Sequence, residues 1–297
     1  MNTLDHAQLA ALAAVVDEGS FEAAAYQLHV TPSAVSQRIK ALESQLGQIV
    51  VRRTRPVAPT DAGRVLLRLA RQIHLLDREA LAELSGGTAT EPLRLAIAVN
   101  ADSLSTWFLD ALARVPREHA VTFDIRAEDQ DHSVSLLREG TAMVAVTTEP
   151  TPVQGCRAEP LGAMRYVAVA SPGFREGYLP DGPSAAALAT APVLVFNRKD
   201  ALQSQFLSEL SGEVLTPPVT YLPSSRGFVD AARLGLGWGM APEQLAAAAL
   251  EDGEVVELAP GRHLDVPLHW QRWRLESPAL DALTRAVRDA SSTALRR

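Results

Sequence analysis

Cysteine is almost missing: Cys156 is the one thiol among 297 residues. It has no mate for an intrachain disulfide and no Cys or His at metal-ligand spacing, which excludes a disulfide framework and suits a reducing compartment. Long apolar runs are missing as well. No stretch approaches the ~20 residues a membrane span needs. The start, residues 1–6, lacks the basic-then-apolar pattern of an export signal. A cytoplasmic protein with no membrane partner is expected. Catalytic constellations are equally scarce. No Ser/His/Asp or Cys/His set stands out, and Ser224 lacks the flanking glycines of a nucleophile elbow. His263 and His269 have no acid at ligand spacing, so no metal site is expected. Gly235, Gly237 and Gly239 suggest a phosphate loop, but Pro242 intervenes and no helix of the right length is expected after it. A glycine-rich turn into a strand is the better reading. Trp270 and Trp273 read as core or interface. An enzyme is not expected, nor a cofactor.

Hydrophobic residues make up 47% of the chain and charged ones 21%, so a sizeable core is expected rather than disorder. The length suits two domains or three. The net charge of −7 argues against indiscriminate binding to nucleic acid, but its distribution is uneven. Arg38, Lys40, Arg52, Arg53, Arg55, Arg64, Arg68 and Arg71 stand close together with only Glu43 and Asp61 among them. Such a basic stretch on an acidic protein reads as a footprint for phosphate, or more plainly as a solvated helix face.

The pattern beneath the charge separates these readings. Leu9, Leu12, Val15 and Val16 recur at helical spacing and predict a helix over residues 4–17, ended by Gly19. Ser20 caps a short second helix over 21–28. His29 and Val30 make the turn. Thr31 caps a third helix to Leu46, with Pro32 at its first position and Gly47 as its stop. Val35, Ile39, Leu42 and Leu46 are spaced for burial against Phe21, Ala24 and Leu28. Ser33, Ser36, Gln37 and Lys40 occupy the other face, where short polar and amide groups reach base edges and Lys40 reaches phosphate. Two short helices joined by a tight turn describe a helix-turn-helix. The next segment, 49–60, is β-branched, then rich in Arg and Pro. It predicts a short β-wing whose Arg52, Arg53 and Arg55 lie against the DNA backbone. Residues 61–84 read as one helix of about 36 Å. Ala62, Leu66, Leu69, Ile73, Leu76 and Ala80 form a heptad seam expected to pair with a second subunit, which would set two recognition helices ~34 Å apart. The competing reading is that the seam packs on its own domain.

Ser85-Gly-Gly-Thr-Ala-Thr-Glu-Pro92 is a composition break and a hinge. Beyond it strands (93–99, 121–126, 142–147) alternate with helices (103–112, 133–138), which predicts a parallel sheet with helices on both faces. Strands at 166–170, 193–196 and 219–222 imply a second α/β unit. Another strand over 264–273 and a helix over 277–290 close the chain. The turn Asn100-Ala-Asp-Ser103 follows a strand and opens a helix, where free amides and Ser103 suit a carboxylate and Asp102 an ammonium. Glu128 and Asp129, and Thr147, Thr148 and Glu149, follow the next two strands at the same edge, where open α/β sheets bind ligands. Each of these carboxylates reads equally well as a solvated loop group. Ser224 and Ser225 repeat the strand-to-helix pattern in the second unit.

The runs Gly19-Ser-Phe-Glu-Ala-Ala-Ala25, Thr31-Pro-Ser-Ala-Val-Ser-Gln-Arg-Ile-Lys-Ala-Leu-Glu43, Leu46-Gly47 and Pro59-Thr-Asp-Ala-Gly63 resemble the DNA-binding module of LysR-type transcriptional regulators. Where that family often has Gln-Pro, this chain has Pro32-Ser33. Ser33, Ser36, Gln37 and Arg38 carry over as base or backbone contacts. The resemblance covers essentially the whole chain. It implies an α+β multidomain architecture: an N-terminal winged helix-turn-helix (1–60), a linker and dimerisation helix with its hinge (61–90), and a C-terminal effector domain (91–297). That last domain would be two α/β lobes like those of periplasmic binding proteins, lobe I at 91–161 and 266–297, lobe II at 162–265. The chain would cross between them near 150–161 and 260–267. Ala98-Val-Asn-Ala-Asp-Ser-Leu-Ser-Thr-Trp107 and Leu268-His-Trp-Gln-Arg-Trp-Arg-Leu-Glu-Ser277 resemble the lysine/arginine-responsive ArgP/LysG branch. That implies L-lysine or L-arginine as effector, double-stranded DNA and RNA polymerase as partners, a homodimer or homotetramer, and activation of a basic amino-acid exporter or a related gene. Asp102, Glu128 and Asp129 then stand first as contacts for the ligand's cations. An architectural or origin-binding DNA protein without ligand dependence is the alternative.

Overall fold

The computed structural model describes residues 3–84, 92–128 and 130–297, apart from the side chains of 128 and 130–132. The hinge expected at Ser85–Pro92 lies, but for Pro92, outside the described residues. Helix termini in the N-terminal module fall where cap chemistry puts them. α1 (His6–Glu18) opens on the Asp5 carboxylate, which accepts from the Ala7 and Gln8 amides, and closes on Gly19 at φ +71°. α2 (Phe21–Gln27) is capped by Ser20, and α3 (Pro32–Leu46) by Thr31, with Gly47 left-handed at its end. Leu12, Val15, Ala24, Val35, Ile39 and Leu42 form the core between them. Leu46, expected inside, is exposed at the last position of α3. β1 (Val51–Arg52) pairs antiparallel with β2 (Ala58–Pro59) to make the wing.

α4 (Asp61–Leu84) departs from the single seam read from its periodicity. Leu66 and Ala70 are buried in the core of the helix-turn-helix, with Leu69 and Ile73 packed against it, whereas Leu76 and Ala80 are exposed. A second face buries Leu75 in the core of the C-terminal domain. The first half of the seam therefore packs on its own chain. Two buried faces on one helix blur the heptad that either would show alone.

The C-terminal domain runs β3 (Leu93–Asn100), α5 (Ala101–Thr106), α6 (Phe108–Ala113), β4 (Val121–Glu128), α7 (Gln130–Arg138), β5 (Val144–Thr147) and β6 (Cys156–Ala170). It continues through α8 (Pro172–Tyr178), α9 (Ala185–Leu188), β7 (Val193–Val195), α10 (Leu202–Ser211), β8 (Val219–Tyr221) and α11 (Ser225–Arg233). β9 (Gly239–Pro242), α12 (Glu243–Glu251), β10 (Val256–Glu257), β11 (His263–Trp273) and α13 (Pro278–Ala294) complete it. The helix expected over 103–112 breaks at Trp107, which is buried edge-on to Phe108. The expected absence of a helix after the glycine-rich turn is corrected by α12; its glycines serve packing, since a Cβ at Gly237 would stand 2.9 Å from the Pro192 carbonyl.

The main sheet is mixed rather than parallel, with order β10-β6-β11-β5-β3-β4 and β9 also on β6 among the described residues. β4 and β5 flank β3 in parallel, while β11 runs antiparallel to both β5 and β6. The two crossings are strands, not loops: β6 and β11 pair along their length, so each satisfies the other's backbone groups. The register shifts between Leu268 and His269, opposite Gly162 at φ +129°. Residues 156–161 of β6 and 269–273 of β11 lie with the first lobe (β3–β5, α5–α7, α13), and residues 163–170 of β6 and 263–267 of β11 with the second (β7–β10, α8–α12). Trp270 and Trp273 are fully buried core residues, and Trp270 Nε1 donates to Thr284 Oγ1 at 3.1 Å.

Candidate DNA interface and ligand cleft

The two faces of α3 separate cleanly. Val35, Ile39 and Leu42 are buried, while Thr31, Ser33, Gln37 and Lys40 are exposed and Ser36 and Arg38 half-buried. Thr31 Oγ1 lies 2.9 Å from Ser33 Oγ, so the cap and the first polar side chain hold each other at the start of the helix. Arg52, Arg53 and Arg55 are exposed on the wing. Arg53 also stacks its guanidinium 5.4 Å over the Phe21 ring, tying wing to α2. The wider basic footprint is corrected. Arg64 pairs with Asp61, Arg68 donates to the Gln154 carbonyl at 2.6 Å, and Arg71 pairs with Asp17 and donates to the Gly140 carbonyl at 2.6 Å. These three α4 arginines face the protein, because that side of α4 packs on the first lobe.

In the C-terminal domain, α5 of the first lobe packs on α11 and α12 of the second. Asp102 sits at this junction, and its carboxylate accepts from Tyr166 Oη at 2.6 Å. Ser225 Oγ faces the same carboxylate, close enough to favour its charged form though short of full hydrogen-bond geometry. Burial pushes the Asp102 carboxyl above the usual range, the Ser225 and Tyr166 hydroxyls oppose that, and the like charge of Asp200 adds to it. Burial, with the Asp102 charge, pushes the Tyr166 phenol up too. Around them buried polar atoms find no partner among the described residues: both amide atoms of Asn100, and the hydroxyls of Ser103 and Ser225. Native interiors rarely leave such groups unpaired.

The remaining expected contacts are dispersed. Ser224 caps α11 by accepting from the Gly227 amide. Thr147 is buried and accepts from the Glu149 amide at 3.1 Å. Glu149 is exposed and accepts from the Thr151 amide at 2.9 Å, which holds its carboxyl below the usual range. Thr148 and Glu149 line a different pocket, of about 560 Å³, with Arg138 and Gln154. The Glu128 backbone pairs with Asn100 at the end of β4, but its side chain, and Asp129, lie outside the described residues. Sequence reading missed Tyr166, whose partner is 64 positions away, and Asp200, whose two carboxylate oxygens accept from the Phe196 and Leu202 amides. It also missed Gln203, buried with both amide atoms unpartnered among the described residues. An Asp-x-x-Gln pair at a helix start is the only signal that marks the last two.

A winged helix-turn-helix, joined by a long helix to a two-lobed domain with a polar junction between its lobes, defines a DNA-binding regulator with a ligand-sensing domain. Residues 6–64 match the bacterial regulatory helix-turn-helix protein model of the lysR family, and residues 89–292 match the LysR substrate binding domain. The chain belongs to the LysR family of transcriptional regulators; it is a regulator and not an enzyme. It is 54% identical over 292 residues to the HTH-type transcriptional regulator LysG of Mycobacterium tuberculosis, covering 97% of this chain and 94% of that one. To the lysine export transcriptional regulatory protein LysG of Corynebacterium glutamicum it is 47% identical, covering 97% and 98%. Among solved structures, the crystal structure of ArgP from M. tuberculosis matches with a TM-score of 0.89 and 54% identity over 99% of each chain. Full-length LysG of C. glutamicum with bound effector Arg matches with 0.79 and 46%, over 99% of this chain and 100% of that one. Among the described residues no helix is long and apolar enough to cross a membrane.

Proposed function

We propose that this chain activates a gene of basic amino-acid export or metabolism when L-arginine or L-lysine enters the cleft between its lobes. The observation that carries this reading is the half-buried Asp102 carboxylate at the lobe junction, with buried polar groups that lack partners around it. A cation beside Asp102 would relieve its burial, and a carboxylate would take up free donors at Asn100, Ser103 and Ser225. The relative with Arg bound supports the choice of ligand. Glu128 and Asp129 are proposed to contact the second cation; Thr147, Thr148, Glu149 and Ser224 support the cleft rim. The domains divide at 60/61 and 90/91, with lobe I at 91–161 and 266–297 and lobe II at 162–265. Thr31, Ser33, Ser36, Gln37, Arg38 and Lys40 bind DNA from α3, and Arg52, Arg53 and Arg55 from the wing. The protein works in the cytoplasm as a homodimer or homotetramer and contacts RNA polymerase at its promoter.

Calorimetry on the full chain tests the ligand, and footprinting on its own upstream region tests the outcome. Arginine or lysine binding with micromolar-range heat and a ligand-altered footprint is the expected result. Identical footprints with and without either amino acid would favour an architectural DNA-binding role.

A further inference from the structure

α4 presents a stripe of residues to the first lobe at helical spacing: Arg64, Arg68, Arg71, Leu75 and Glu79. Arg64 Nε lies 3.9 Å from Glu139. Arg68 lies against two left-handed glycines. A Cβ on Gly140 would stand 2.5 Å from the Arg68 Cα, and one on Gly155 would stand 2.3 Å from its guanidinium. Arg71, 9% exposed, bonds the first lobe at the Gly140 carbonyl and the helix-turn-helix at Asp17 with the same guanidinium. Glu79 accepts from Ser277 Oγ at 2.6 Å and from the Ala279 amide at 3.3 Å, at the start of α13.

The seat of Arg68 also connects back to the cleft side of the sheet. The segment 148–155 leaves the end of β5 and finishes at the carbonyl that Arg68 holds. Gln271, fully buried on β11, fastens it at three points: its Oε1 accepts from the Val153 amide, and its Nε2 donates to the Glu149 and Thr151 carbonyls, at 2.9–3.0 Å. We propose that Arg68 and Arg71 are positioning residues that lock the DNA-binding module to the first lobe as one body. A ligand-driven movement of the lobes then reaches α3 through these two arginines. The coupling half of this proposal rests on the ligand reading above; the locking half does not.

The test uses the full chain with Arg68→Ala, Arg71→Met and, as a wedge that leaves every arginine in place, Gly140→Ala. Arginine affinity is read by calorimetry, and affinity for the footprinted upstream duplex is read by anisotropy with and without arginine. In the unsubstituted chain arginine is expected to change DNA affinity by about fivefold or more. In each variant the ligand affinity stays within about twofold while that change shrinks to about twofold or less. A full ligand response in variants that have lost the contact overturns the coupling. The lock is read separately from spin-label distances between Gln48→Cys and Glu118→Cys, in labelled chain diluted with unlabelled chain. One narrow distribution that broadens in Arg68→Ala and Arg71→Met is expected, and an unchanged width overturns it. If arginine binds nowhere, the ligand reading fails and the distance experiment still decides the lock. If Arg71→Met does not fold, Arg68→Ala, at a more open site, decides.

Discussion

Burial governs the behaviour of Asp102. Its pKa is raised on folding, so its contribution to stability is present below the ordinary carboxylate range and is lost as pH rises through the raised value. At neutral pH the ionised group therefore opposes folding. Asp102→Asn keeps an acceptor for Tyr166 and removes that charge. It is expected to raise the Tm of the ligand-free protein by about 2 °C or more in calorimetric melts, while arginine affinity falls by about 100-fold or more. The same shift sets a pH profile. As pH drops through the raised value Asp102 is neutralised, so arginine affinity weakens toward acid in the native chain and stays flat in Asp102→Asn. At the DNA interface, Ser36→Ala and Gln37→Ala should each reduce discrimination between operator and mismatched sites by about 1–3 kcal/mol. Arg52→Ala or Arg55→Ala should weaken all sequences alike and lower the salt slope by about 1, seen in titrations across salt concentration.

Elements whose limits depend on nearby residues were legible in the chain. Asp5 apart, the caps at Gly19, Ser20, Thr31, Pro32 and Gly47 are local chemistry, and each helix boundary of the reading module follows from them. α4 was legible in extent but not in its partners. A buried arginine such as Arg71 reads as surface until Asp17 and the Gly140 carbonyl are seen beside it, and neither is close in sequence. Tyr166 read only as a strand residue, because its role is set by Asp102, in the first turn of a helix that follows another strand. Gly63 was read as a motif letter, yet it is there for space: a Cβ would stand 1.9 Å from the Val50 carbonyl. Gly63→Ala should therefore push the wing off α4, destabilising the protein by about 1–3 kcal/mol in denaturant titrations and weakening DNA binding with it.

At the scale of the molecule, α4 is enclosed on two sides and open on a third. Val65 and Leu76 remain exposed there, and Leu84 is exposed at the helix end, so apolar surface is left for a second copy of the helix. The double substitution Leu76→Glu/Leu84→Glu should give monomers in sedimentation velocity and cut operator affinity by about 100-fold, since two half-sites would no longer be engaged together. The paired strands β6 and β11 bear on what the ligand can do. A ribbon of two bonded strands resists sliding along its length but bends across its plane, and its irregular point falls at Leu268–His269 beside Gly162. The lobes are thus joined by a flexure with one soft spot rather than by slack tethers. Signalling in this protein should consist of small angular adjustments about a fixed axis, read out by whatever is bolted to either end.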